Sequence, residues 1–155
     1  MNRSTAFWDS SALIPLCIQE RASNKVKKLA KQFAPVVWWV TTVEIHSAIA
    51  RLHRSGELDD AGRQAAFNRL SVLSRGWREV LPTDKLRTQA GMLLDTYSLR
   101  AADSLQLASA MVWCQQRPSR RRFVSNDLRL CEAAARAGFV VVSPGLANDV
   151  LAFIP

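Results

Sequence analysis

Val36-Val37-Trp38-Trp39-Val40 is the stretch that most restricts the folds open to this chain. A continuous run of β-branched and aromatic residues, with no polar alternation, reads as a strand buried on both faces. Parallel sheets covered by helices on both sides are built from such strands. Other short runs fit the same sheet. Residues 5–8 (Thr-Ala-Phe-Trp), Phe123-Val124-Ser125 and Phe139–Val142 read as strands, and residues 77–82 as a short edge strand closed by Pro82.

Helical spacing fills the intervals. Residues 22–33 carry Val26, Leu29, Ala30 and Phe33 on one face, and Ala34-Pro35 breaks the pattern. Thr41 and Thr42 are placed to cap a helix with Ile45, Ala48, Ile49 and Leu52 on its apolar stripe. Further helices are expected over 59–75 and 84–97, then from Asp103, and from Asp127 to a stop at Gly138. A first helical turn begins at Ala12, where Pro15 is tolerable only near the helix start. The tail around Pro144-Gly145 reads as a loop with room for a short helix. This alternation predicts an α/β fold of parallel strands joined by right-handed crossovers. The 155 residues fit one domain, 1–155, with no repeat and no linker.

Several function classes recede on composition. No apolar run approaches the roughly 20 residues of a membrane span, and Met1–Thr5 leads straight into Ala6-Phe7-Trp8 without a secretory segment, which favours the cytoplasm. Cys17, Cys114 and Cys131 are odd in number, far apart and set in apolar helical surroundings, so buried packing is their expected role. His46 and His53 form no metal spacing and read as surface residues. A net charge of +8 suits an anionic partner, nucleic acid or an acidic protein. Its basic groups are Lys25, Lys27, Lys28 and Lys31, read as a solvated helix face, and Arg117, Arg120, Arg121 and Arg122, a candidate RNA-binding loop.

Four acids share a description. Asp9, Glu44 and Asp127 each follow a strand, and these three with Asp103 sit at or near a helix start. Each alone has a structural use as a cap or as a partner of the helix dipole. In a parallel sheet the strand C-termini share one edge, so Asp9, Glu44 and Asp127 would converge there, with Asp103 brought in by its helix, and repel one another. A divalent cation removes that conflict, and hard oxygen donors suit Mg²⁺ or Mn²⁺. Such a cation facing a basic surface can activate water for in-line attack on a phosphodiester.

In order, Asp9-Ser10-Ser11, Thr41-x-x-Glu44, Leu99–Ala110 around Asp103, and Phe123-Val124-Ser125-Asn126-Asp127 resemble the four acidic motifs of PIN domains. They are most similar to VapC-like toxins of bacterial toxin–antitoxin pairs. The resemblance spans residues 5–143, and the third motif, an acid opening a long small-apolar helix, is the most specific. It implies a PIN-like three-layer α/β/α sandwich with a mainly parallel central sheet, and a Mg²⁺-dependent endoribonuclease, Mn²⁺ being an alternative ion. It makes Asp9, Glu44, Asp103 and Asp127 the catalytic and metal-binding acids. Ser10 and Ser125 stand where the family often has Thr, with hydroxyls suited to orienting a carboxylate. It also implies an RNA substrate, a VapB-like antitoxin partner, a homodimer, no membrane and cytoplasmic residence. Two other readings compete: a catalytically silent RNA- or protein-binding α/β module, and a receiver- or phosphatase-like domain with Asp9 as nucleophile. The last is weakened by Ser11, which stands where a second Asp would be needed, and by the lack of a lysine after a late strand.

Overall fold

The structure, a computed structural model, describes residues 4–18 and 24–146. Strand β1 (Ser4–Trp8) leads into α1 (Ser10–Cys17); α2 (Asn24–Gln32) leads into β2 (Phe33–Trp38). Helices α3 (Thr41–Arg54) and α4 (Asp60–Ser74) precede β3 (Arg78–Val80), and the hairpin of α5 (Asp84–Thr96) and α6 (Ala101–Trp113) precedes β4 (Arg122–Val124). Helix α7 (Leu128–Arg136) then leads to β5 (Val140–Val142). The five strands run in the order β3-β2-β1-β4-β5, all pairs parallel.

Alternation along the strands divides the core in two. Ala6, Trp8, Val37 and Val124 point to one face, where they meet Leu13, Ile45, Ile49 and Leu70 of α1, α3 and α4. Phe7, Val36, Trp38 and Phe123 point to the other, against Leu86, Leu93, Leu107 and Leu130 of α5, α6 and α7. The sheet is thus the middle layer of an α/β/α sandwich. The three cysteines are buried and free. No described helix is long and apolar enough to cross a membrane.

The chain departs from the sequence reading at several boundaries. Phe33 begins β2 instead of ending a helix, and Ala34-Pro35 lies inside the strand, paired with Thr5 and Ala6 of β1. Because β3 starts only opposite Val36, Pro35 has a ladder on one side alone, which relaxes the demand for its missing N–H. The strand stops at Trp38, so Trp39, expected in the core, is 51% exposed. Val40, with no side-chain bond, is the N-cap of α3; Thr41 and Thr42 are already helical. Helix α1 opens at Ser10, and α6 opens at Ala101 with Arg100 as its N-cap, so Asp103 stands in the first turn and not at the cap. The edge strand after Trp77 and the stop at Gly138, whose φ is +104°, match the reading. Residues 22–23 of the expected second helix, and the end of the tail from residue 147, lie outside the described residues.

Candidate functional site

The strand order reverses beside β1. The chain moves outward from β1 through β2 to β3, then returns to the other side of β1 with β4 and β5. Open parallel sheets form a crevice at such a reversal, at the carboxyl ends of the strands. Asp9 leaves β1 there and Asp127 follows β4. Glu44 stands in the first turn of α3, after β2, and Asp103 in the first turn of α6.

Each acid also has a local structural task. Asp9 caps α1 by accepting from the Ser11 N–H at 3.2 Å, and Asp127 caps α7 by accepting from the Leu130 N–H at 2.9 Å. Asp103 accepts from the backbone of Arg100, the reciprocal arm of a capping box. Capping alone does not account for their shared surroundings. Burial, as the main cause, raises the pKa of Asp9 from its ordinary value, and the charge of Asp127 adds to it. Burial also raises Glu44, with added repulsion from Asp9 and Asp103. Asp103 is raised by burial, then by Asp127 and Asp9, with Arg100 in partial opposition. The four therefore feel one another across the crevice, and none is ion-paired with a described residue.

A hydroxyl and amide network holds the carboxylates. Ser125, fully buried, donates to Asp9 Oδ2 at 3.0 Å and accepts the Asp127 N–H at 3.0 Å, so one hydroxyl ties two acids together. Ser10 lies 3.4 Å from Asp9 Oδ1 and within hydrogen-bonding reach of Glu44. Ser11 also donates to Asp9 Oδ2 and takes the Asn126 N–H at 2.9 Å. Pro15 withholds the N–H that would bond the Ser11 carbonyl inside α1. The Asn126 amide occupies that carbonyl instead, at 3.3 Å, while its Oδ1 accepts the Gly145 N–H at 2.7 Å. The proline in α1 is thereby accommodated by the loop that carries Asp127.

Sequence reading missed Ser11, Asn126 and Gln106. Gln106 is 1% exposed, and its Nε2 donates to Glu44 Oε2 at 2.6 Å and lies 3.3 Å from Thr41 Oγ1. Its Oε1 is buried with no partner. The signal was a lone glutamine in an apolar helix, three residues after Asp103 and so on the same side of α6. Gln106→Leu is expected to leave Glu44 unsteered at little cost in stability. Cleavage activity should fall by roughly 10–100-fold, measured beside a melting curve that stays near that of the parent.

The basic loop lies elsewhere. Arg122 opens β4, paired with Val140 at the start of β5, and its guanidinium lies 4.6 Å from the ring of Phe33 at the start of β2. Arg121 stands over Trp113 at the end of α6. Topology thus puts Arg122, and Arg117, Arg120 and Arg121 just before it, at the sheet edge opposite the acids. His46 packs on Phe67, and His53 bonds the Leu58 carbonyl, both away from the crevice.

The donor set suits a hard divalent cation: four carboxylates, with Ser125 linking the Asp9 carboxylate to the Asp127 backbone, and like-charge repulsion that no described cation cancels by pairing. Among the described residues no three side chains of His, Cys, Asp or Glu stand close enough together to hold a metal ion as they are placed. What joins the four acids is their place at the carboxyl edge of the sheet and the repulsion between them.

No protein-family profile matches the chain, and no curated protein matches it. Solved structures do. A toxin–antitoxin complex from Klebsiella pneumoniae aligns with 92% of this chain and 100% of its own, at TM-score 0.62 and 15% identity. FitAcB from Neisseria gonorrhoeae aligns with 90% of this chain and 98% of its own, at TM-score 0.63 and 14% identity. VapBC2 from Rickettsia felis, bound to a DNA fragment from its promoter, aligns over the same shares at TM-score 0.62 and 10% identity. At these identities the likeness is one of fold.

Proposed function

We infer that the chain is a metal-dependent endoribonuclease of the PIN class, the toxin of a toxin–antitoxin pair. The observation that carries this reading is the gathering of Asp9, Glu44, Asp103 and Asp127 at the reversal point of a parallel sheet, unneutralised by any ion pair among the described residues. The fold it shares with a toxin–antitoxin complex supports the biological half.

Asp9, Glu44, Asp103 and Asp127 would hold the ion. Bound Mg²⁺ or Mn²⁺ supplies Lewis acidity to the attacking water and to the phosphodiester. The chain supplies placement. Ser125 and Ser11 fix the Asp9 carboxylate in one orientation, Gln106 fixes Glu44, and the α7 cap fixes Asp127. Burial of Asp9 lowers the local dielectric, which strengthens every charge interaction around the reacting phosphate. An antitoxin partner, a homodimer and residence in the cytoplasm belong to the same proposal.

The test is cleavage of single-stranded RNA by the purified chain. Cleavage is expected in Mg²⁺, is expected to stop in EDTA, and should return when Mg²⁺ or Mn²⁺ is restored; Asp103→Asn should abolish it. A folded chain that cleaves no RNA in either ion contradicts the proposal. Salt-sensitive RNA binding without turnover identifies the silent binding module instead.

A further inference from the structure

We propose that the groove between the Tyr97–Leu99 turn and α7 binds the phosphodiester backbone of RNA on one side of the scissile bond; this deepens the ribonuclease reading and rests on it. The groove is a cavity of about 300 Å³ lined by Tyr97, Leu99, Arg129, Glu132, Ala133 and Arg136. Both of its walls continue from elements that carry site acids. Leu99 leads into α6 and Asp103, and Arg129 lies in the first turn of the helix that Asp127 caps.

Arg129, Glu132, Ala133 and Arg136 recur at i, i+3, i+4 and i+7, so one face of α7 lines the groove. Leu130 and Ala134 go to the core, and Ala133, itself buried, forms the floor where core and groove meet. The Arg136 guanidinium lies 5.2 Å from the centroid of the Tyr97 ring, which holds it in place across the groove. Neither Arg129 nor Arg136 is ion-paired with a described residue, although Glu132 lies between them on the helix. Exposed Arg100, the N-cap of α6, adds a third cation on the same turn.

The two guanidiniums stand on the helix that Asp127 caps, yet pair with none of the four acids. Here they face a separate cavity, leaving their donor forks available to a planar or tetrahedral anion. A polyanion whose one phosphate is at the acids carries its next phosphates past this groove. Backbone contacts of this kind position a strand without reading its sequence.

The experiment is a fluorescence-anisotropy titration of a labelled single-stranded RNA dodecamer into the full chain carrying Asp9→Asn, at several salt concentrations. Three further proteins are compared in that background: Arg129→Ala/Arg136→Ala, Arg129→Lys/Arg136→Lys, and the opposite-edge pair Arg120→Ala/Arg121→Ala. The four substituted arginines are exposed, so folding is expected to persist as in the Asp9→Asn background and is checked by melting. The alanine groove pair should bind at least about tenfold more weakly at low salt. Its plot of log affinity against log salt should be shallower by about 1.4, at ~0.7 per lost phosphate contact on a single strand. The lysine pair should keep most of that slope, and the opposite-edge pair should change affinity by less than about threefold. Equal losses in the groove pair and the opposite-edge pair overturn the subsite alone, provided the unsubstituted chain cleaves RNA. A chain that neither cleaves nor binds RNA overturns the ribonuclease reading and the subsite with it.

Discussion

Asp9→Asn is expected to reduce RNA cleavage by at least roughly 10²–10³-fold, the loss typical of removing one preorganised electrostatic group, while the protein stays folded. The amide fits the existing contacts. Its oxygen can take the place of Oδ2, which receives the Ser11 N–H and the Ser125 hydroxyl, and its nitrogen then faces the Ser10 oxygen at 3.4 Å. The stability change has a definite sign. Burial raises the folded-state pKa of Asp9, so the native state binds a proton more readily than the unfolded chain does. Stability therefore falls as pH rises through the window from the unfolded value to the raised folded one, and at neutral pH the ionised group is a net cost. Asn removes that cost. Melting at neutral pH should be no lower for Asp9→Asn than for the parent, and the gap between them should close as pH falls toward the acid range. Lost activity with a melting temperature held or raised separates a site residue from a structural one.

Phe123→Ala is the opposite case, with a large cost in stability and none of the chemistry removed. Phe123 is fully buried in β4, stacked on Phe7 at 5.3 Å between centroids and tilted against Phe139 at 5.6 Å. Truncation forfeits both ring contacts and opens a cavity between the sheet and α7, at about 3–5 kcal/mol. For a chain of 155 residues this corresponds to a drop in Tm of roughly 6–20 °C. Because Phe123 stands two residues before Ser125, the pin between Asp9 and Asp127 should loosen as well. Urea unfolding with an unchanged m-value and a lowered midpoint is the expected pattern.

Much of this architecture is legible in the residues, for reasons that also mark its limits. The apolar runs at 36–38 and 123–124 have no polar side to turn outward, so they demand a covered parallel sheet. Three of the four acids were marked by a strand ending just before them. Phe33-Ala34-Pro35 misled because Phe33 continues a helical spacing and proline punctuates helices. Pairing with Ser4, Thr5 and Ala6 overrides both local signals. Trp39 reads as core in composition but falls just past the strand end, at a boundary that only the sheet defines. For Arg117–Arg122 the charge density was plain, but which edge of the sheet it reaches depends on the loop preceding β4. Tyr97 and Arg136 are far apart in sequence and meet only because α7 packs beside the α5–α6 turn. The buried amide of Gln106 was visible as an isolated polar residue, yet its partner Glu44 lies on another helix.

Calorimetric titration of Mn²⁺ into the metal-stripped full chain decides whether these carboxylates form a divalent-cation site. Saturable binding is expected, with the fold stabilised by about 2.7 kcal/mol at a hundredfold excess over Kd. Both the heat and the stabilisation should disappear in Asp9→Asn. A parent chain that takes up no Mn²⁺, or an Asp9→Asn chain that binds it as the parent does, would rule out a cation site built on Asp9.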